Sequence, residues 1–352
     1  MSPFISDQTL LSLVNRPAFY VQDNRIVQVN EAARSRLICE GESISKYLPE
    51  IPRAYEEFQN GCLFLNLTVQ NIICPACITR QESGYLFVLD THTDSTRRSL
   101  ALAAIQLRQS LNTVYAAVED IPPQNRPGHL NRALMQMHRI LCNMSDLTRY
   151  NEPHSARMTA TNLTSVFTET MEKAQALLEK AGFELRFTAS EPVFTMADRE
   201  MVERAFWNML SNAAKFSDPG SRLEAAMRRS GNMVSFTVRD TGDGVKPEIL
   251  QQIYNRYLRE PGFEDSRHGM GLGLAIVSAV AALHGGTVLI DQPEGIGTRV
   301  TLTITVKPSS DHVLRSPTSF ILGDYCGGYD HGILELSDIL PAKMYETSEI
   351  SD

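Results

Sequence analysis

Short apolar runs separated by turn residues fill the first quarter of the chain. Residues 19–30 predict two strands on either side of the turn Asp23-Asn24. Residues 31–37 have the pattern of a short helix, and residues 63–69 and 85–89 predict two further strands. Together these elements predict a small α+β domain built on an antiparallel sheet.

Two longer segments carry apolar side chains at the three- and four-residue spacing that is typical of amphipathic helices. The first helix is predicted over residues 95–121, where Pro122-Pro123 stops it, and the second over residues 130–149. A hairpin of two such helices cannot bury both apolar faces alone, so we expect a homodimer with a four-helix bundle. The apolar positions are Leu100, Leu102, Ala103, Leu107, Leu111, Val114, Tyr115 and Val118, then Leu134, Met137, Ile140, Leu141, Met144 and Leu147.

Residues 155–306 mix helices and strands, and their first distinctive motif is a polar stripe. Asn208, Asn212 and Lys215 stand at positions i, i+4 and i+7 of a predicted helix that begins at Arg199, so they share one face. Two carboxamides and a cation are costly to bury without partners. A phosphate-bound magnesium ion and its water shell would supply those partners. Taken alone, however, such a stripe is more typical of a solvated helix face.

A carboxylate and two glycines follow an apolar strand at residues 234–238. Asp240 stands at the end of that strand, with Gly242 and Gly244 close behind it. A carboxylate at this position can accept a hydrogen bond from the exocyclic amine of adenine, and the glycines let the backbone approach the base. Without further motifs the same residues form an ordinary turn.

A second glycine pattern opens a long apolar helix. Gly269, Gly271 and Gly273 form a GxGxG loop, and the free N–H groups at the start of the helix suit phosphate. This is not the dinucleotide-binding fingerprint, because no strand immediately precedes it and the spacing differs. Residues 284–304 then predict two closing strands joined by a turn that contains Thr298.

In this order and spacing, the four segments resemble the N, G1 and G2 boxes and the final hairpin of the histidine-kinase catalytic domain. Residues 253–259 resemble the F box of that family, with tyrosines in place of phenylalanines. The resemblance implies an ATP-binding α/β sandwich of the type shared with gyrase-type ATPases, in which Asn212 holds Mg2+ and Asp240 reads adenine. The ATP-binding residues that it implies are Asn208, Asn212, Lys215, Asp240, Gly242, Gly244, Tyr257, Arg259, Gly269, Gly271, Gly273 and Thr298.

The residue at position 208 separates two branches of this family. Gyrase-type ATPases have a glutamate four residues before the metal-binding asparagine, where it activates water. Asn208 cannot act as that base, so we expect the kinase branch and no rapid hydrolysis of ATP.

The first helix of the hairpin should carry the family's phosphoacceptor. Its best match to the H box is residues 105–112, where Leu107, Arg108, Leu111 and Asn112 agree with the motif. Ile105 replaces the acceptor histidine and has no nucleophilic atom, while Gln106 replaces the adjacent acid.

Three interpretations of this loss remain open. The chain binds Mg-ATP without phosphorylating itself at the usual position; it phosphorylates another acceptor, such as His138 or a partner protein; or it is a nucleotide-controlled scaffold that works through dimer conformation. The expected partners are a response regulator or a partner kinase. A lone helical histidine such as His138 is more often packed or solvated than a phosphoacceptor.

The turn between the first strands and the following Asn30-Glu31-Ala32-Ala33 resemble a PAS sensor domain. With it, the expected order is a PAS-like domain (1–92), a dimerisation hairpin (93–152), an ATP-binding domain (153–307) and an acidic tail (308–352), as in a sensor histidine kinase. The tail has eight acidic residues against two basic ones, and residues 333–340 in it predict a short helix that packs on the body or on a partner.

Composition narrows the remaining possibilities. The net charge of −8 argues against nonspecific nucleic-acid binding. We find no signal peptide and no segment apolar enough to span a membrane, so we expect a cytoplasmic protein. Cys74 and Cys77 form one CxxC motif, whereas a structural zinc ion needs about four ligands; Cys39 and Cys62 would supply two more if the fold brought them close. We interpret the two CxxC cysteines as thiols in a strand and its turn.

Overall fold

The structure is a computed structural model that describes residues 11, 14, 16–48, 55, 61–70, 72–81, 83–89, 94–122, 125–150, 155–242, 272–292, 297–307 and 330–346. Within these residues, no helix is both long and apolar enough to cross a membrane.

The N-terminal part is a five-stranded antiparallel sheet in the order β2-β1-β5-β4-β3. The side chain of Asn30 joins α1 to the first strand of this sheet. Asn30 Oδ1 accepts hydrogen bonds from the N–H groups of Ala33 at 2.9 Å and Ala18 at 3.0 Å, so it caps α1 and fixes the start of β1. Its elements are β1 (Ala18–Gln22), β2 (Arg25–Val29), α1 (Glu31–Arg34), β3 (Cys62–Val69), β4 (Ile72–Gln81) and β5 (Gly84–Leu89).

The two cysteines of the CxxC motif lie within one strand, β4, and not in a strand and its turn as predicted. Both are buried, and burial together with the neighbouring Cys62 thiol raises the pKa of Cys77 well above its usual value. In the part of the chain that the structure describes, no three His, Cys, Asp or Glu side chains cluster in a way that suits a metal ion.

The helical hairpin consists of α2 (Asp94–Glu119) and α3 (Gly128–Tyr150). Leu111 and Val118 of α2 pack against Leu134 and Leu141 of α3. Four of the other predicted apolar positions are exposed, with 37–52% of their surface accessible: Leu107, Val114, Met137 and Ile140. The described part of the hairpin therefore leaves apolar surface uncovered.

The third part is an α/β sandwich. Helices α4, α5 and α6 pack on strands in the order β11-β12-β10-β9-β7, and β6 pairs with β8 in a separate ribbon. The aromatic rings of Phe167, Phe206 and Phe236 meet at its centre. Its elements are β6 (Thr159–Asn162), α4 (Leu163–Lys180), β7 (Glu184–Thr188), β8 (Phe194–Ala197), α5 (Arg199–Lys215), β9 (Arg222–Ser230), β10 (Met233–Arg239), α6 (Leu272–Leu283), β11 (Val288–Asp291) and β12 (Arg299–Thr305).

The two sheets join edge to edge. Strand β3 pairs antiparallel with β11, with Phe64 opposite Val288 and Cys62 opposite Ile290, so ten strands form one continuous sheet. Gly61 makes this approach possible, because its φ is +92° and a Cβ there would lie 1.9 Å from the carbonyl oxygen of Ile290.

Part of the acidic tail is folded onto the body. Residues 330–346, the C-terminal segment, contain α7 (His331–Glu335) and a 3₁₀ turn (Ala342–Tyr345), and they pack against α3, α4 and α5. The helix predicted over residues 333–340 thus exists, but it starts earlier and ends at Glu335, where a turn replaces it.

Candidate nucleotide-binding site

Helix α5 supplies the centre of the site. Asp198 caps it, since Asp198 Oδ1 accepts a hydrogen bond from the N–H of Met201 at 3.1 Å. Twelve of its seventeen residues are buried, so the polar groups that it carries lie largely inside the protein. A buried helix needs internal partners for such groups.

The polar stripe predicted on this helix meets the start of α6. Asn208 is fully buried; its Nδ2 donates to the carbonyl of Arg204 at 2.9 Å, and its Oδ1 has no hydrogen-bond partner among the described residues. A Cβ on Gly273 would lie 2.6 Å from Asn208 Oδ1 and 3.6 Å from Asn212 Nδ2, so these three residues adjoin. A buried acceptor without a partner fits a site for a hydrated cation.

The strand-end carboxylate lies where the end of α5 and the turn before β12 meet. Asp240 Oδ1 accepts hydrogen bonds from the N–H groups of Gly242 and Thr298, both at 3.0 Å. Gly242 packs on the end of α5, since a Cβ there would lie 2.5 Å from the carbonyl oxygen of Phe216. Burial raises the pKa of the Asp240 carboxyl, and these hydrogen bonds only partly offset the shift.

Lys215 ends the stripe and points toward the C-terminal segment. Its Nζ lies 3.3 Å from Asp338 Oδ2, and the same oxygen is 3.0 Å from Arg139 Nη1 of α3. The predicted phosphate-binding lysine is therefore ion-paired with a carboxylate from the acidic tail, a contact that the sequence did not predict.

Five predicted site residues, Gly244, Tyr257, Arg259, Gly269 and Gly271, lie outside the described residues. Gly273, which was expected in the loop that covers the phosphates, is instead the second residue of α6 and contacts the stripe on α5. Asn208, Asn212, Lys215, Asp240, Gly242 and Thr298 lie on the elements that the sequence predicted for them.

The degenerate acceptor positions lie on the outside of α2. Ile105 is 56% exposed, Gln106 is exposed too, and the neighbouring Arg108 donates from Nη2 to Ser145 Oγ of α3 at 2.9 Å. His138, the alternative acceptor, packs edge-on against Tyr115 with the ring centroids 6.2 Å apart.

A buried network of ion pairs between α5, α3 and α7 was not predicted from the sequence. Arg204 is fully buried and lies 2.5 Å from Asp146 Oδ2 of α3 and 3.1 Å from Glu335 Oε1 of α7. Arg139 lies 3.0 Å from the other oxygen of Glu335. The sequence feature that could have indicated this network is the pair of acids Glu335 and Asp338, which lie three residues apart within the apolar stretch of the tail.

Comparison with known proteins bears on the same region. The profile of the family described as "Histidine kinase-, DNA gyrase B-, and HSP90-like ATPase" matches residues 197–308, which include α5, Asp240 and α6. These residues form an ATPase domain of the histidine-kinase type. The matched residues include both the polar stripe on α5 and the strand-end carboxylate of Asp240.

Sensor histidine kinases are among the chain's relatives. "Sensor histidine kinase YvrG" of Bacillus subtilis is 31% identical over 143 residues, which is 40% of this chain and 25% of that protein. "Sensor-like histidine kinase SenX3" of Mycobacterium tuberculosis H37Rv is 30% identical over 148 residues, 42% of this chain and 36% of that protein. The solved "Mycobacterial sensor histidine kinase MprB" is 26% identical, with a TM-score of 0.36, and covers 44% of this chain and all of that one. The chain thus spans about a quarter to a third of the curated relatives' length.

Proposed function

We propose that this chain binds Mg-ATP in the histidine-kinase-type domain and serves in two-component signalling. The observation that carries the proposal is the buried Oδ1 of Asn208, which has no partner among the described residues and lies beside Gly273, next to Asn212. An unpartnered buried acceptor costs about 1–3 kcal/mol, so its persistence is best explained by a ligand that satisfies it.

Different residues would bind the metal ion, the phosphates and the adenine base. Asn212 would hold Mg2+ through its carboxamide oxygen, with Asn208 receiving a metal-bound water, and Lys215 would neutralise phosphate charge. Asp240 would accept the amine of adenine, held ready by the N–H groups of Gly242 and Thr298 at 3.0 Å. Magnesium would supply charge neutralisation for the phosphates. Tyr257, Arg259, Gly244, Gly269 and Gly271 would complete the site by the same family resemblance.

The bound phosphate has no acceptor at the usual position. Ile105 presents only aliphatic carbon to solvent, and Gln106 cannot take a proton, so autophosphorylation there is excluded chemically. Asn208 also lacks the basicity to activate water, which disfavours an ATPase. Transfer to His138 or to a partner protein is the remaining route for a kinase.

The rest of the chain fits a sensor kinase. Residues 1–92 would form a PAS-like sensor domain, residues 93–152 a dimerisation hairpin and residues 153–307 the ATP-binding domain. The exposed Leu107, Val114, Met137 and Ile140 support a homodimer through the hairpin. A response regulator or a partner kinase in the cytoplasm would receive the signal.

Calorimetric titration with ATP, with and without Mg2+, tests nucleotide binding. We expect binding that requires Mg2+ and that Asn212→Ala weakens strongly, while Ile105→Ala binds as the wild type does. Binding of equal strength in the Asn212→Ala variant would refute the assignment of the site.

A second candidate is a scaffold without phosphotransfer, in which ATP shifts the conformation of the dimer. The buried ion network favours it, because Arg204 and Arg139 connect α5 directly to the hairpin helix α3 and to α7. Small-angle scattering of the dimer decides the point: a profile that Mg-ATP changes supports a scaffold, and an unchanged profile together with phosphate on a partner receiver domain supports a kinase.

A further inference from the structure

The C-terminal segment is fitted closely to its docking site. Its residues Leu334, Leu336, Leu340, Met344 and Tyr345 are at most 3% exposed, and burial of apolar side chains is the main stabilising contribution to such a contact. Gly332 allows the close fit, since a Cβ there would lie 2.4 Å from a methyl group of Leu177 and 2.9 Å from the ring of Trp207. Apolar contacts therefore hold the segment even where one of its ion pairs is removed.

The polar contacts position one residue of the segment, Asp338. Arg132 donates to the carbonyl oxygens of Ser337 at 2.9 Å and Asp338 at 2.7 Å, and Gln136 donates to the Asp338 carboxylate at 3.2 Å. These donors belong to α3, and they fix the backbone and the side chain of Asp338 opposite the end of α5.

The Asp338 carboxylate lies between two cations from different parts of the fold. Its Oδ2 is 3.3 Å from Lys215 Nζ and 3.0 Å from Arg139 Nη1. Burial alone would raise the pKa of Asp338, but the charges of Arg139 and Lys215 outweigh burial and lower it, so the carboxylate is ionised at neutral pH.

We propose that Asp338 is an internal competitor of the nucleotide: its carboxylate takes the place of a phosphate at Lys215, and ATP must displace it. The inference rests on the proposed function, in which Lys215 neutralises phosphate charge. When the phosphates bind Lys215, Asp338 keeps only Arg139 of these two cations. Binding of the nucleotide therefore changes the ion pairing of the hairpin helix α3. The acidic tail thereby sets the affinity for ATP and connects nucleotide binding to the hairpin.

Competition of this kind predicts opposite effects on binding and on stability. In the Asp338→Asn variant, Lys215 is released and one negative charge near the phosphates is lost, so the affinity for Mg-ATP should rise about fivefold. The same variant loses the ion pair with Arg139, so its free energy of unfolding without nucleotide should fall. A residue with a purely structural role would lower both quantities together.

The test is calorimetric titration of the full chain with Mg-ATP, combined with urea unfolding of the nucleotide-free protein. Asp330→Asn is the matched control: it removes one charge from the same segment, where Asp330 pairs with Lys173 at 2.7 Å, and asparagine still caps α7. Its affinity should equal that of the wild type.

Each outcome bears on one claim. Tighter binding in Asp338→Asn with lower stability supports the competitor, whereas unchanged or weaker binding, or an equal gain in Asp330→Asn, overturns it and leaves nucleotide binding intact. If wild type and Asp338→Asn both fail to bind Mg-ATP, the proposed function fails and the competitor fails with it.

Discussion

Two helix faces that the family resemblance marks as functional differ sharply in this protein. On α2, the acceptor positions Ile105 and Gln106 are exposed and carry no nucleophile or base. On α5, Asn208 is fully buried with an acceptor atom that lacks a partner in the described structure, and Lys215 is held by a carboxylate. The face on α2 is exposed and has no reactive group, whereas the face on α5 is polar, buried and ion-paired with another segment.

Under the proposed function, this difference means that binding a nucleotide and receiving its phosphate depend on different parts of the molecule. The groups that would bind Mg-ATP depend on the sandwich, where they are buried together, while the acceptor depends on two exposed side chains of the hairpin. Substitution of exposed residues usually changes stability little. The hairpin can therefore lose its acceptor chemistry and keep its fold.

The largest expected effect concerns the buried side of α5. Arg204→Ala should destabilise the protein by about 3–5 kcal/mol, because it leaves Asp146 and Glu335 buried without their shared cation. Arg199→Ala on the same helix breaks an exposed pair with Glu169 and should cost about 0–1 kcal/mol. Urea unfolding measures both, and equal losses would show that the network contributes nothing beyond a surface ion pair.

A smaller effect should separate the two faces by ligand binding. Asn212→Ala should weaken Mg-ATP binding by about 10- to 100-fold, the equivalent of one hydrogen bond to a charged group. Ile105→Ala on α2 should leave binding unchanged. Titration calorimetry of both variants checks the contrast, which a similar loss in Ile105→Ala would remove.

The pH dependence of binding follows from Asp240. Its carboxylate must be ionised to accept the adenine amine, and burial places its pKa above the usual 3.8. Affinity for ATP should therefore be full at neutral pH and fall as the pH approaches this raised pKa from above. Asp338 has a lowered pKa and keeps its charge over the same range, so its ion pairs persist. An affinity that stays constant down to pH 3.8 would contradict the role of Asp240.

The smallest effect is expected on α2. Ile105→Ser replaces an exposed aliphatic side chain, so the free energy of unfolding of the monomer fold should change by less than about 0.5 kcal/mol. Urea unfolding at low protein concentration measures it, and a loss of several kcal/mol would place Ile105 in a packed interface.

Much of the sandwich was predictable because its determinants are local. The spacing of Asn208, Asn212 and Lys215 fixes one helix face, and the apolar strand before Asp240 fixes where the carboxylate stands. Outside the sandwich, the side chain of Asn30 is also a local determinant, because it caps α1 and bonds to the first residue of β1.

The unpredicted features depend on contacts between distant segments. Asp338 reaches Lys215 across 123 residues of sequence and Arg139 across 199. The pairing of β3 with β11 likewise joins strands that no local pattern connects. The family resemblance assigned Gly273 to the loop over the phosphates, yet here its missing side chain lets α6 approach Asn208. Long-range packing, which a linear pattern does not contain, decided all three.

Mass spectrometry of the protein incubated with Mg-ATP tests the central contrast most directly, because native and denaturing spectra of one sample report bound nucleotide and covalent phosphate separately. We predict a noncovalent Mg-ATP adduct in the native spectrum and no phosphate on residues 94–119 in the denatured one. A covalent phosphate that maps to α2, or a native spectrum without nucleotide, would contradict the account.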